Sequence, residues 1–266
     1  MVQMRKRDYI QESKSFDEVA DTYDVYRPSY PPELINTIIS AAALEPESKL
    51  LEIGAGSGKA SELFLERGYG LLCIEPGQQL AELGLRKHEG KRIEYAVTRF
   101  EDWQQPRLEN DLVFSAQAFH WVPQPEGYRK CSEVLKPDGR LALFWNFYLC
   151  GDTKEDRELA SICGEHQVFS FASEDEINQR IDRTSAEIPA SGYFAAPEVY
   201  RYQWSTVLDA DSFIGFLQTG SEYLILTEQE RSRAVAEISA VIAKNGGQVS
   251  FHFVTGLFIS AKLVTP

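Results

Sequence analysis

The strongest constraint on this chain is one run, Leu50-Leu51-Glu52-Ile53-Gly54-Ala55-Gly56-Ser57-Gly58. A mainly apolar strand pattern leads into three glycines at alternate positions, and a helix-like pattern begins at Lys59. Glycine accepts positive φ and lets another molecule approach the backbone closely. The free amides at a helix start offer donors to an anionic or carboxylate group. Strand, glycine turn and helix in this order form the first half of a βαβ unit. By itself the run is also compatible with a tight turn that binds nothing.

The alternation continues downstream. Strand patterns at 49–53, 70–74, 93–97, 111–115 and 140–147 are separated by helical patterns at 59–68, 78–88 and 125–135. Lys136-Pro137-Asp138-Gly139 supplies a stop-and-turn signal ahead of the fifth strand. Residues 151–189 are charged and helix-like with no strand signal, and they read as an inserted lid. Two more strand patterns, 199–206 and 248–263, flank helical patterns within 209–226 and 227–244. The expected fold is α/β: a doubly wound, seven-stranded, mostly parallel Rossmann-like sheet with a helical lid insertion. Its expected parts are an N-terminal helical cap (1–45), the Rossmann-like core (46–150), the lid (151–195) and a C-terminal segment (196–266) that completes the sheet.

Charge narrows the partner. The net charge of −13 opposes binding to a phosphate backbone, and the one basic run is Met4-Arg5-Lys6-Arg7. A small-molecule partner is expected, without nucleic acid. No apolar run reaches the ~20 residues that span a bilayer, so no membrane partner is expected either. The first 24 residues lack the apolar core of a signal peptide. Cys73, Cys131, Cys150 and Cys163 form no CxxC pair and read as reduced thiols of a cytoplasmic protein. The four histidines are scattered, and no metal site is expected.

The second strand pattern ends at Glu75, where a doubly wound sheet presents an acid to a ribose diol. A dinucleotide fingerprint would place a third glycine at position 59, which here is Lys59. Glu52, two residues before the first glycine, would repel a pyrophosphate. A nucleoside cofactor other than a dinucleotide fits these three positions best.

The matching stretches are FDEVADTYDVYRPSYP (Phe16 to Pro31), LLEIGAGSGKAS, LLCIEPG, RFEDW (99–103), FSAQAFHWV (114–122) and VLKPDGRLALFWN (134–146). Together they resemble the class I S-adenosylmethionine (SAM)-dependent methyltransferases, and within them the small-molecule, trans-aconitate-methyltransferase-like (methyltransferase type 11) branch. WSTVLDADSFIGFLQTGSEY (204–223) resembles that branch more loosely. The resemblance implies SAM as cofactor and S-adenosylhomocysteine as product. It implies that Glu52, Gly54, Ala55, Gly56 and Gly58 cradle the methionine side, and that Glu75 and Pro76 hold the ribose end. Phe100 and Glu101 would flank the adenine, and Gln117 would lie beside the methyl group. Tyr23 and Arg27 would close over the methionine end or the acceptor. Arg99 stands where many relatives carry an Asp that reads the adenine amino group, and Glu101 is the expected substitute.

For the acceptor, Phe119, His120, Trp121, Trp145 and Asn146 follow the fourth and fifth strand patterns at the ligand-binding edge of such sheets. His120 is the candidate general base. The run after the fourth strand lacks the Asn/Asp-Pro-Pro-aromatic pattern of base-directed amino-methyltransferases, and it lacks a Pro-Cys nucleophile. The resemblance favours a small-molecule acceptor with a carboxylate oxygen, which needs no base. Two alternatives stand beside this reading: a SAM-binding sensor or partner subunit without catalysis, and a nicotinamide-dependent oxidoreductase.

Overall fold

The structure is a computed structural model that describes residues 20–104 and 110–263. The basic run at Met4–Arg7 and the start of the Phe16–Pro31 stretch lie outside the described residues.

Helices α1 (Ala20–Tyr26) and α2 (Pro32–Ala41) precede the sheet. The chain then alternates β1 (Lys49–Ile53), α3 (Lys59–Leu65), β2 (Gly70–Glu75), α4 (Gln78–Lys87), β3 (Ile93–Val97), β4 (Asn110–Ala116), α5 (Glu126–Val134) and β5 (Leu135–Leu149). A 3-10 turn at Phe119–Trp121 follows β4. Two helices, α6 (Lys154–Glu165) and α7 (Glu174–Ala190), lead to β6 (Glu198–Asp209). The remainder is α8 (Ala210–Gln218), α9 (Ser221–Leu224), α10 (Glu228–Lys244) and β7 (Gln248–Ala261).

The seven strands form one sheet in the order β3-β2-β1-β4-β5-β7-β6. The first five are parallel, whereas β7 runs antiparallel to both neighbours. Strand order reverses between β1 and β4, and doubly wound sheets bind ligands at the carboxyl ends of strands where this happens. The α/β class and the mostly parallel seven-stranded sheet agree with the sequence patterns. On β7, Val254 and Phe258 enter the core on one face while Leu257 and Ile259 enter the other, as the period of 2 in a strand demands.

Two local expectations change. Lys136–Gly139 forms no free turn, because β5 starts at Leu135, which pairs with Asn110 before the register shifts. A Cβ on Gly139 would stand 3.0 Å from the Asn110 carbonyl oxygen, so glycine there permits close approach to β4. The region expected to be a lid is also part of the core. Its helices start with capping boxes, Thr153 with Asp156 and Ser173 with Glu176, which explains helix formation in so polar a segment. Helix α7 then buries Ile177, Ile181 and Ile188 in the same cluster as Val254 and Phe258. The spacing of these isoleucines places them on one face of the helix.

All four cysteines are free, and three are buried. Among the described residues, no helix is long and apolar enough to cross a membrane.

Candidate functional site

The glycine turn is tied to the next strand before it meets any ligand. The Gly54 amide donates to the Ile74 carbonyl at 2.8 Å. Gly54 has φ +69°, and a Cβ there would lie 2.4 Å from Cβ of Ala118. This glycine is required by the packing of the turn against the β4 end. Gly56, at φ +57°, differs: a Cβ there would meet nothing within 4 Å. It would project beside the cavity, so this position keeps main chain open to a bound molecule.

Glu75, at the end of β2, is 7% exposed. Its Oε2 accepts from the Gly56 amide at 2.8 Å and its Oε1 from the Gly77 amide at 2.9 Å. These two amides fix the carboxylate at the cavity wall. Glu52 is 1% exposed and accepts from the Ser61 hydroxyl. Burial pushes its carboxyl up to about 8; the Ser61 hydrogen bond opposes this and the nearby Glu75 charge adds to it.

Gln117 follows β4 with φ +61°, a left-handed conformation uncommon outside glycine. It is held there by its amide, which donates to the Phe144 carbonyl at 3.0 Å. Its side chain bonds both main-chain groups of Asn146: Oε1 accepts from Asn146 N at 3.1 Å and Nε2 donates to its carbonyl at 3.3 Å. Such strain persists when the surroundings over-determine it, and it gathers at functional sites.

Helix α1 fastens across the turn. The Ser57 hydroxyl donates to Asp24 at 2.6 Å, and the Lys87 ammonium pairs with the same carboxylate at 2.7 Å. Burial opposes the Asp24 charge, but the Lys87 and Ser57 hydrogen bonds prevail and hold its carboxyl below the usual range. Arg27 is half-buried between the rings of Tyr23 and Phe216, each centroid 5.2 Å from the guanidinium carbon. It donates to Tyr148 Oη at 3.2 Å and to the Thr219 carbonyl at 2.8 Å, and its Nε is buried without a partner.

These groups border one cavity of about 950 Å³ that runs from Gly56 and Glu75 past Gln117 to His120, Trp145 and Arg180. Ligand pockets commonly occupy ~300–1,000 Å³, so this one has room for a nucleoside-sized cofactor and a small second molecule.

Residues 51–143, from within β1 to within β5, match the family model described as Methyltransferase domain. The chain carries a methyltransferase domain. Its fold is that of the class I SAM-dependent methyltransferases. An uncharacterized methyltransferase of Mycobacterium tuberculosis is 27% identical over 238 residues, covering 87% of this chain and 86% of its own length. A solved structure from Anaeromyxobacter dehalogenans, provisionally assigned as a type II methyltransferase, superposes with a TM-score of 0.62 at 21% identity. It covers 88% of this chain and 97% of that one. A SAM-dependent methyltransferase of Geobacter sulfurreducens, solved with S-adenosylhomocysteine, gives 0.52 at 14% identity and covers 93% of this chain and 98% of its own.

Within the methyltransferase fold, most of the residues singled out from the sequence meet at the cavity. Tyr23, Arg27, Glu52, Gly54, Ala55, Gly56, Glu75, Pro76, Phe100, Glu101 and Gln117 line it, as do His120, Trp121, Trp145 and Asn146. Two do not. Gly58 caps α3 at φ +84° with its Cβ position 2.8 Å from the His88 ring, behind the turn. Phe119 is 2% exposed and packs on Tyr128 at 5.0 Å, because the 3-10 turn points it into the core. Asn146 lines the wall, but its amide donates to the Ser29 carbonyl at 3.0 Å and accepts from Thr255 at 2.6 Å. Glu101 accepts from Arg99 Nε at 2.7 Å, so the two residues form one unit on the wall.

Sequence reasoning missed Tyr30, Tyr148, Ser170 and Arg180, all of which line the cavity. For Arg180 a signal existed: it precedes Ile181, one of three isoleucines at helical spacing, and so borders the face that packs on the sheet. Ser170 and Tyr148 carry no local mark of their role.

Proposed function

We propose that this methyltransferase moves the methyl group of SAM to a small-molecule acceptor, with a carboxylate oxygen as the nucleophile. One observation carries the reading: a single cavity joins the glycine turn and Glu75 to a separate set of side chains around His120 and Arg180. Donor and acceptor can therefore share one cavity. The residues fit a nucleoside cofactor, because Gly56 leaves main chain open and Glu75 places a carboxylate beside it at the end of β2, on the cavity wall.

Bound SAM supplies an already activated methyl group on a sulfonium. The work left to the protein is chiefly positional, and holding reactants in attack geometry is worth ~7–11 kcal/mol. Glu75 accepts from the ribose hydroxyls, the Gly54–Gly56 main chain contacts the methionine side, and the Phe100 and Glu101 side borders the adenine. Gln117, fixed by the two Asn146 contacts, stands between the cofactor and acceptor ends. Arg180, on α7, makes no hydrogen bond or ion pair among the described residues and faces the cavity. An always-charged planar donor of this kind suits an anionic acceptor.

The test is incubation of the purified protein with methyl-labelled SAM and a pool of small metabolites, followed by separation of labelled products. Label in a base-labile ester is expected. SAM binding with no labelled product would replace this reading by a sensor or partner subunit. Calorimetry with SAM, S-adenosylhomocysteine and NAD accompanies it, and tight NAD binding without SAM binding would make the protein a nicotinamide enzyme.

A further inference from the structure

We infer that Asn146 is a positioning residue: its side chain locks the N-terminal wall of the cavity onto the sheet, in an orientation that Thr255 and Trp204 set from outside the cavity. The inference does not depend on which acceptor is methylated.

Three adjacent strands each contribute one side chain. Asn146 on β5 stands opposite Thr255 on β7, and Trp204 on β6 stands opposite Phe253, two residues before Thr255. Opposed residues share a sheet face, and so do residues two apart on one strand. The Trp204 indole is stacked on Phe253 with centroids 4.0 Å apart at 9°, which holds its nitrogen in place. Trp204 Nε1 donates to Thr255 Oγ1 at 2.8 Å, and the Thr255 hydroxyl donates to Asn146 Oδ1 at 2.6 Å. Asn146 Nδ2 then donates to the Ser29 carbonyl at 3.0 Å.

The direction of this chain follows from its two ends. An indole nitrogen only donates, and a main-chain carbonyl only accepts. The end of the Asn146 amide that faces Ser29 must therefore be its NH2 group, which turns its oxygen toward Thr255. The Thr255 hydroxyl accepts from Trp204 and gives its single proton to that oxygen. A flipped amide would set oxygen against oxygen at Ser29. Asn146 and Thr255 are both buried, so a broken link would leave polar groups shut away from water.

The chain ends where the cavity begins. Ser29 lies between Pro28 and Tyr30, which both line the cavity, and the Tyr30 ring packs edge-on to Phe144 with centroids 4.9 Å apart. The main chain of Asn146 meanwhile holds both ends of the Gln117 side chain, at 3.1 and 3.3 Å. One residue thus fixes two walls relative to each other, the N-terminal segment and the turn after β4. Thr255 and Trp204 are not among the described residues that line the cavity, so whatever they do to a bound molecule passes through Asn146.

The experiment is hydrogen exchange on the full chain, read by mass spectrometry. Asn146→Leu keeps the approximate shape of the side chain and removes both polar ends. Residues 20–31 should exchange about tenfold faster, the value of one hydrogen bond, while β1 and β2 keep the wild-type rate. An unchanged rate in 20–31 would leave Asn146 with no hold on that wall and overturn the inference. Thr255→Val is the sharper variant, because it touches no part of the cavity wall. It should reproduce the local effect, and Thr255→Ser, which retains the hydroxyl, should stay within about twofold of wild type. Faster exchange spread over β1 and β2 in Thr255→Val, or no recovery in Thr255→Ser, would make Thr255 a packing residue and refute the chain. Should Thr255→Val fail to fold, Asn146→Leu decides the inference.

Two further readings separate positioning from contact. The double variant Asn146→Leu/Thr255→Val should match Asn146→Leu alone, whereas losses that multiply to about a hundredfold would mean two independent contacts and no chain. Calorimetry should show S-adenosylhomocysteine affinity reduced by at most about tenfold in each single variant, because a wall open ten times more often lowers the binding-competent fraction by no more than that. A loss of ~100-fold or more would put Asn146 against the cofactor itself and end the positioning role.

Discussion

Where β1 turns into α3 the cavity wall is main chain, held by carbonyls and carboxylates from the adjoining strand ends; beneath α7 it is side chain, assembled from segments far apart in sequence. The first end comes from residues 50–77, and its shape depends on positive φ at Gly54 and Gly56 and on amides that Glu75 collects. The second end draws Tyr148, Ser170 and Arg180 together with the 3-10 turn after β4. Tyr148 there rests on a bed of rings, stacked on Phe251 at 5.4 Å and against Phe216 and Phe253. A wall of backbone can change little without losing the fold. A wall of side chains can be rebuilt one residue at a time. The donor end is therefore suited to an invariant ligand and the acceptor end to a variable one.

That contrast can be broken most forcefully at Glu75. Glu75→Ala removes a charged acceptor for two hydroxyls and frees the Gly56 and Gly77 amides, so S-adenosylhomocysteine affinity should fall at least ~100-fold by calorimetry. Circular dichroism should still report a folded chain. Unchanged affinity would take Glu75 out of the ribose role.

The paired glycines sharpen the contrast within the donor end. Gly54→Ala combines left-handed strain with a clash against Ala118 and should cost about 2–5 kcal/mol in chemical denaturation. Gly56→Ala carries only the strain and should cost about 1–2 kcal/mol. Its larger effect should appear in cofactor binding. Equal stability losses at both positions would mean that Gly56, like Gly54, serves packing.

Glu52 gives the donor end a signature in pH. Its carboxyl is raised by burial from 4.5 to about 8. Between those values the folded chain keeps a proton that the unfolded chain has released. Stability therefore declines as pH rises through this window and levels off above it. Glu52→Gln should remove the decline, raising Tm over wild type at pH 8 by several degrees but little at pH 5. A constant difference across that range would contradict the assignment.

The smallest effect belongs to the acceptor end. Arg180→Ala should raise KM for a carboxylate acceptor about tenfold and leave S-adenosylhomocysteine affinity unchanged. A loss of cofactor affinity instead would erase the distinction between the two ends.

The legibility of the sequence follows the same division. Strands β1 and β3 begin and end where alternation and turn residues place them, because those signals are local. Gly54, Gly56 and Glu75 were readable for that reason: a turn conformation and a strand end are properties of a few consecutive residues. The position of β7 between β5 and β6 was not readable, since its pairing joins residues separated by more than a hundred positions. Phe119 reads as a wall residue beside His120 and Trp121, and the 3-10 turn instead points it inward, at 2% exposure. The packing of α7 on the sheet is hard to read because the helix is rich in charge and its three isoleucines are few for a core helix.

The place of β7 also bears on how the molecule is made. Residues 248–261 fill a slot between two strands that are synthesised before them. Until they emerge, the apolar edge of β5 has no partner on that side, and β6 has no sheet to join. The nascent chain must hold a glycine turn and five parallel strands in waiting while residues 150–247 are translated. Closure of the sheet is therefore a late, long-range event, and ribosome-bound chains ending before residue 248 should depend on chaperones that cover exposed strand edges.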